Sequence, residues 1–194
     1  MEAMRLVLLL IENEQTNKPA VNALFSLFCF HASRFGARKV ENGEMILYDD
    51  QDETLWNTEL IERGMYFLNK AAQGDKITRY HLEASIAYWH TIKADTTEKW
   101  ENILQLYNEL LVIEYSPVVA LNRTFALSKA NGKHEAIEEA EKLQLTGNHF
   151  YYTLLGELYT GIDNKKAMQH LKKALSLAKT NTDKHTIQKK IDML

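Results

Sequence analysis

Apolar positions along this chain recur at three- and four-residue intervals nearly from end to end, the spacing of helices that bury one face. The clearest case is YSPVVALNRTFAL at 115–127, around which the rest is organised. Ser116 is suited to accept a hydrogen bond from a free helix N–H. Pro117 fits the first helical position, where no backbone donor is needed. Val118, Leu121, Phe125 and Ala126 then share a face, and Asn131-Gly132 ends the helix with residues that tolerate left-handed dihedrals. A second helix is predicted at once, over 134–145.

The same reading places helices over 1–12, from Asn17 and Pro19 to about Arg38, and over 54–72, 79–93, from Asp95 to Leu111, 149–160, 165–179 and 184–194. The first has apolar positions from its first residue and no cap before it, so the chain is expected to be a piece of something longer. Asp183 is read as the cap of the last helix. Only 39–52 reads as non-helical, with a turn at Asn42-Gly43 and a short apolar run, Met45 to Tyr48, that suits a lone strand or a cover over the helices.

Helix pairs beginning near Tyr80, Pro117 and Asn148 are 37 and 31 residues apart, bracketing the roughly 34-residue tetratricopeptide period. The last pair matches best. Tyr152, Leu155, Gly156 and Tyr159 stand at that repeat's W, L, G and Y positions, and Ala167, Leu171 and Ala174 near its A, F and A. Gly156 and Ala167 would let two helices approach while Tyr152, Tyr159 and Leu171 fill the gap. The expected fold is therefore all-α: one domain over 1–194, a right-handed stack of helical hairpins. Residues 1–75 would hold the N-terminal helices with an irregular loop at 39–52, and 76–194 the helix pairs of a TPR-like α-solenoid.

Composition changes this picture little. The chain has 194 residues, 45% of them hydrophobic and 25% charged, with a formal net charge of −3. That balance gives no overall electrostatic case for nucleic-acid binding. Charge is uneven, however: from Gly161 onward the net is +5, from eight lysines, leaving −8 over 1–160. A solubilising outer face explains those lysines more simply than a phosphate contact, since no arginines or aromatics interleave them. The single cysteine, Cys29, lies in an apolar run and reads as a buried thiol. It suits a reducing cytoplasm, which is the expected location. The apolar stretches at 4–11 and 21–30 are too short to span a membrane.

Motifs for chemistry are missing. There is no phosphate-cradling glycine loop, no His-Glu-x-x-His, no Cys-x-x-Cys and no nucleophile elbow. His81 and His90 are nine apart and do not share a face. Asp49, Asp50, Asp52 and Glu53 are an acidic cluster, but without the alternating oxygen ligands of a calcium loop; capping by Asp52 accounts for them more simply. A non-enzyme without cofactor or metal is expected.

Three segments together resemble one family: LYDDQD at 47–52 with Trp56 and Leu60-Ile61; Tyr80, Leu82, Ala84, Ile86-Ala87 and His90; and Tyr107 with SPVVALNR at 116–123. They are similar to the C-terminal TPR-like extension of bacterial extracytoplasmic-function (ECF) sigma factors of the sigma-70 superfamily. Glu53 and Leu55 stand where that family has arginines, and Asn57 where an aspartate often follows the tryptophan. The resemblance implies a non-catalytic regulatory and protein-interaction domain that modulates transcription initiation. Its partners would be the promoter-binding domains in cis and RNA polymerase indirectly, or a small regulatory protein. Those promoter-binding domains have no counterpart in this sequence, so no direct DNA binding and no membrane contact are expected. The contact surface implied is Asp49, Asp50, Gln51 and Asp52 with Trp56, and Asn122 with Arg123. The last two are polar residues in an apolar helix that also suit hydrogen bonding to neighbouring helices. A free-standing TPR-type adaptor holding a peptide is the alternative.

Overall fold

A computed structural model describes residues 2–38, 46 and 48–194. Among the described residues the chain forms ten α-helices and no strand. They are α1 (Glu2–Glu12), α2 (Pro19–Ser33), α3 (Thr58–Ala71), α4 (Arg79–Trp89), α5 (Thr97–Ile113), α6 (Pro117–Ala130), α7 (Lys133–Leu143), α8 (His149–Tyr159), α9 (Asn164–Leu177) and α10 (Asn181–Asp192). Short 3-10 turns stand at Gly36–Arg38, Tyr48–Asp50 and Glu53–Leu55. The turn expected at Asn42-Gly43, and Met45 and Leu47 of the apolar run, lie outside the described residues.

The chain divides into two compact units, Met1–Asp95 with Val112–Glu114, and Thr96–Leu111 with Tyr115–Leu194. This division falls later than the 75/76 boundary read from the sequence, because α4 packs on α2 and α3. Its small residues Ala84 and Ala87 meet Leu27 and Phe30 of α2.

In the first unit α2 contacts α1, α3 and α4. It is apolar around most of its circumference, so no single neighbour can cover it. Phe25 and Cys29 pack with Val7 of α1 and Phe67 of α3, the two rings edge to face at 4.7 Å. The Ser26 hydroxyl donates to the Gly64 carbonyl at 2.7 Å, which draws α2 and α3 together. The helix stops at Ser33, short of Arg38: Ser33 Oγ donates back to the Phe30 carbonyl (2.8 Å), and the Asn57 N–H donates to the Ser33 carbonyl (2.8 Å). The next helix starts at Thr58, four residues later than expected, because the Asn57 side chain accepts the Leu60 N–H at 2.9 Å. Asp52 does cap, but it caps the 3-10 turn, accepting the Thr54 N–H at 2.9 Å. Helix α4 ends at Trp89, short of Lys93, where Thr91 Oγ1 donates to the Tyr88 carbonyl at 2.7 Å.

Cys29 is fully enclosed, and burial pushes its thiol up to about 11, with Arg63 pulling the other way. Iodoacetamide is therefore expected to leave Cys29 unmodified at neutral pH in the folded chain and to label it only after denaturation; thiol mass spectrometry checks this.

In the second unit α6 through α10 each pack on the next, and α8 also meets α6. The expected bounds of α6 hold, but Ser116 at its N-cap takes no helix N–H on its hydroxyl. Its carbonyl accepts the Ala120 N–H at 2.9 Å instead. Gly132 adopts φ +98°, which only glycine takes without strain, and α7 starts directly after it. Asn148 and Asp163 cap α8 and α9. The last helix begins at Asn181 because Thr180, not Asp183, is its cap. Thr180 Oγ1 accepts the Asp183 N–H at 3.0 Å and donates to the Asp183 carboxylate at 2.5 Å. Thr180→Ala is expected to cost about 1 kcal/mol, read as a lower thermal midpoint.

Candidate functional site

The residues singled out from the sequence fall into the two units. Asp49 to Asp52 and Trp56 lie in the first; Asn122 and Arg123 lie in the second.

In the first unit the centre is Tyr48. Its hydroxyl donates to the Ile92 carbonyl at 3.2 Å, and its ring lies 6.4 Å from Trp56 and 5.3 Å, edge-on, from His90. Two cations approach that ring: the Arg34 guanidinium at 5.3 Å and the Lys93 ammonium at 5.1 Å. Lys93 Nζ also donates to the Tyr48 and Gln51 carbonyls at 2.8 and 3.1 Å, tying the segment that follows Tyr48 to the chain after α4. The Arg34 guanidinium lies 5.9 Å from the Trp56 ring as well. Gln51 is buried and its amide donates to the Ile46 carbonyl at 3.3 Å.

The acids differ from these neighbours. Asp50 and Asp52 are exposed. Hydrogen bonds from the Thr54 hydroxyl and N–H hold the Asp52 carboxyl below its usual range. The Asp49 side chain lies outside the described residues. Sequence reasoning singles out Gln51 and Trp56 but neither Arg34 nor Lys93, which the fold places against Tyr48. The only trace of Arg34 in the sequence is a positive charge directly after an apolar helix, which reads as the end of a buried run.

In the second unit α6 and α8 border a cavity of about 320 Å³. Val118, Leu121, Asn122 and Phe125 line it from α6, and Phe150, Thr153, Leu154 and Glu157 from α8. Val118 and Phe150 are 58% and 55% exposed, a high value for apolar side chains beside a cavity. The apolar face expected of Val118, Leu121, Phe125 and Ala126 is split, with Leu121 and Ala126 buried and Val118 and Phe125 exposed. Asn122 is exposed on the cavity wall, and Glu157 ion-pairs with Lys190 of α10. Arg123 is half-buried and bonds to side chains: its Nε donates to Asn108 at 2.7 Å, and its terminal nitrogen lies 3.5 Å from Glu139.

A titratable group elsewhere in this unit is satisfied within itself. The Tyr159 hydroxyl donates to Glu141 at 2.6 Å, Lys166 lies 4.8 Å over its ring, and His170 stacks on the ring at 5.5 Å. Among the described residues no group of three or more His, Cys, Asp or Glu side chains is placed to hold a metal ion, and no helix is long and apolar enough to cross a membrane.

Residues 1–72 match a family of unknown function (DUF6596). That stretch contains α1 to α3 and the Tyr48–Trp56 contact, and none of the cavity between α6 and α8. The chain is also 32% identical over 198 residues to an uncharacterized protein of Rhizobium meliloti (strain 1021), covering 100% of this chain and 46% of that protein. It therefore spans about half the length of the curated relative it matches. No solved structure matches it.

Proposed function

We propose that this chain is a non-catalytic regulatory and protein-interaction domain of an ECF-type RNA polymerase sigma factor, acting in the cytoplasm by docking a partner on the α6–α8 face. The sigma assignment rests on the resemblance of the 47–61, 80–90 and 107–123 segments. Docking is supported by one observation: Val118, Phe125 and Phe150 stand in solvent around an apolar cavity with Asn122 and Glu157 beside them. Aromatic anchors around a pocket with a few fixed polar groups are the pattern of a binding hot spot. The occupant proposed is the promoter-binding part of the same protein. More than half of the Rhizobium relative lies outside the matched region.

A TPR-like stack is the finer fold proposed for α6 to α9. Consecutive packing of these helices, the α6–α8 contact and the Gly156–Leu171 approach support it. In such a stack α6 and α8 would be the helices that face the bound segment.

Native expression of the tagged full-length gene product tests the function. RNA polymerase subunits are expected to co-purify with it, and a Phe150→Asp, Val118→Asp double variant, which alters only exposed side chains, is expected to change transcription from its target promoters at unchanged protein level. Absence of polymerase from the purified native product would overturn the sigma reading and leave the free-standing peptide-binding adaptor, which the same cavity serves.

A further inference from the structure

His81 is buried, and its ring joins the end of α3 to the start of α4. Both ring nitrogens are engaged. The backbone N–H of Thr78, the N-cap of α4, donates to Nδ1 at 3.1 Å. The Thr78 hydroxyl lies 2.9 Å from the same nitrogen. On the other side of the ring, Nε2 lies 3.3 Å from the carbonyl of Ala71, the last residue of α3. That carbonyl also accepts the Gly74 N–H at 3.3 Å, in the turn that closes α3.

The two backbone groups fix the state of the ring. A backbone N–H only donates and a carbonyl only accepts. Nδ1 therefore carries the lone pair and Nε2 the proton, which is the neutral ring in one of its two tautomers. The third residue of a helix usually meets the N-cap N–H with a glutamate or glutamine side chain. Here an imidazole does so, and its other nitrogen reaches the preceding helix. A proton on Nδ1 would set one N–H against another at 3.1 Å and place a cation in the first turn of α4, where the helix dipole opposes it. The Thr78 hydroxyl can rotate to accept from the new N–H, and the C-terminus of α3 favours the charge, so the loss falls on the α4 end. Helices α2 and α3 pack on α4. Among the described residues no charged side chain of these three helices bonds to the His81 ring. On α4, Arg79 lies over Tyr80 and pairs with Glu83 and Glu114, and Tyr88 meets Phe30. On α3, Lys70 lies over Tyr66 and Arg63 over Phe25, while Glu59 and Glu62 are exposed. On α2, Cys29 packs with Val7 and Phe67, and His31 stands in the last turn. Asp75 and Lys76, between α3 and α4, are exposed.

We propose that His81 is a proton-sensitive clasp between α3 and α4, closed while its ring is neutral and opened at the α4 end by acid. Opening frees the Thr78 N–H and loosens the first turn of α4, while Ala84 and Ala87 keep the rest of the helix against Leu27 and Phe30 of α2. The sign follows from linkage. In the unfolded chain a histidine takes up its proton at about pH 6.5 without breaking any such bond, so the contribution of the clasp is present in mild base and is lost as the pH falls. This inference concerns the first unit alone and is independent of the docking face in the second.

Long-range nitrogen–proton NMR of the whole chain reads the tautomer: in mild base the His81 ring is expected to carry its proton on Nε2 and none on Nδ1. The same sample is then taken from about pH 8 to about pH 5, the span over which histidine changes charge. The Thr78 amide, corrected for its intrinsic exchange rate, is expected to lose protection by roughly fivefold or more, the loss expected of a helix cap. Amides in the last turn of α4 are expected to change little. His81→Gln keeps an acceptor for the Thr78 N–H but does not titrate. It is expected to hold the protection seen in mild base and to abolish the loss in acid. A proton on Nδ1 in mild base would overturn the proposal, and so would an equal loss of Thr78 protection in His81→Gln. Where that variant does not fold, the wild-type chain decides. Ring protonation and loss of Thr78 protection are expected at the same pH, and protection that stays constant while the ring protonates would overturn the proposal.

Discussion

Phe30→Ala is expected to lower the stability of the first unit by about 3–5 kcal/mol, the usual loss for a fully enclosed phenylalanine. Phe30 is completely buried, and its ring does three jobs at once. It packs with Leu27 of its own helix and with Ala84 and Ala87 of α4. It lies 5.7 Å from the Tyr88 ring. On its third side it meets α3 at Gly64, so closely that a Cβ built there would lie 2.6 Å from a ring carbon. Truncation therefore leaves a cavity bordered by three helices, and the Ser26–Gly64 hydrogen bond that joins α2 to α3 hinders their collapse into it. Urea unfolding followed by hydrogen exchange of α2, α3 and α4 peptides measures the loss. Protection in α8 and α9 is expected to stay, since they belong to the other unit. A loss below about 1 kcal/mol would mean that the site refills and that Phe30 is not the joint between these helices.

The two arginines Arg34 and Arg123 show what the sequence can and cannot carry. Arg123 stands inside an apolar helix and Arg34 just past the end of one. Arg123 was read as a polar residue suited to bonding with neighbouring helices, and it does bond to Asn108 and Glu139. Arg34 was read as the close of an apolar run, yet it is buried against Tyr48 and Trp56. Nothing within ten residues signals the burial of Arg34, because Tyr48 and Trp56, which cover it, arrive from beyond a loop. The helical periods themselves were legible, since each is a local matter of spacing and punctuation: Pro117 starts α6 and Gly132 separates it from α7. Boundaries were lost where two candidate caps compete. Asn57 prevails over Asp52 for α3, and Thr180 over Asp183 for α10; Asp52 caps the 3-10 turn instead, and the Asp183 carboxylate accepts the hydroxyl of the Thr180 that displaced it. Which apolar stripe stays in solvent was also hidden. Periodicity gives α6 one face, but Val118 on it is left in solvent at the cavity with α8, and Phe125 is covered only in part, by the Trp100 ring set edge-on at 5.6 Å.

Gly156→Val is the second large effect expected, a loss of about 3 kcal/mol in the second unit. Gly156 is buried in α8, and a Cβ at that position would lie 2.6 and 2.7 Å from side-chain carbons of Leu171 on α9 and 3.4 Å from the Ala167 carbonyl. Two terms oppose one another. Removing glycine from a helix interior favours the helix by roughly 0.5–1 kcal/mol. Overpacking costs about 1–3 kcal/mol for the first carbon, and more for a branched side chain that cannot rotate away. Leu171 cannot yield cheaply, because it is itself enclosed among Ala174, Ala178 and Ile187. Steric cost therefore wins, and it falls on the contact that holds α8 to α9. A double-mutant cycle separates this from a general weakening of α8. Leu171→Ala alone should cost about 2–5 kcal/mol. Combined with Gly156→Ala it should cost at least 1 kcal/mol less than the two changes added, since the new methyl occupies the space the leucine vacates. Strict additivity would show that the two helices are not held at this distance, and would remove a main support for the TPR-like stacking proposed for α8 and α9.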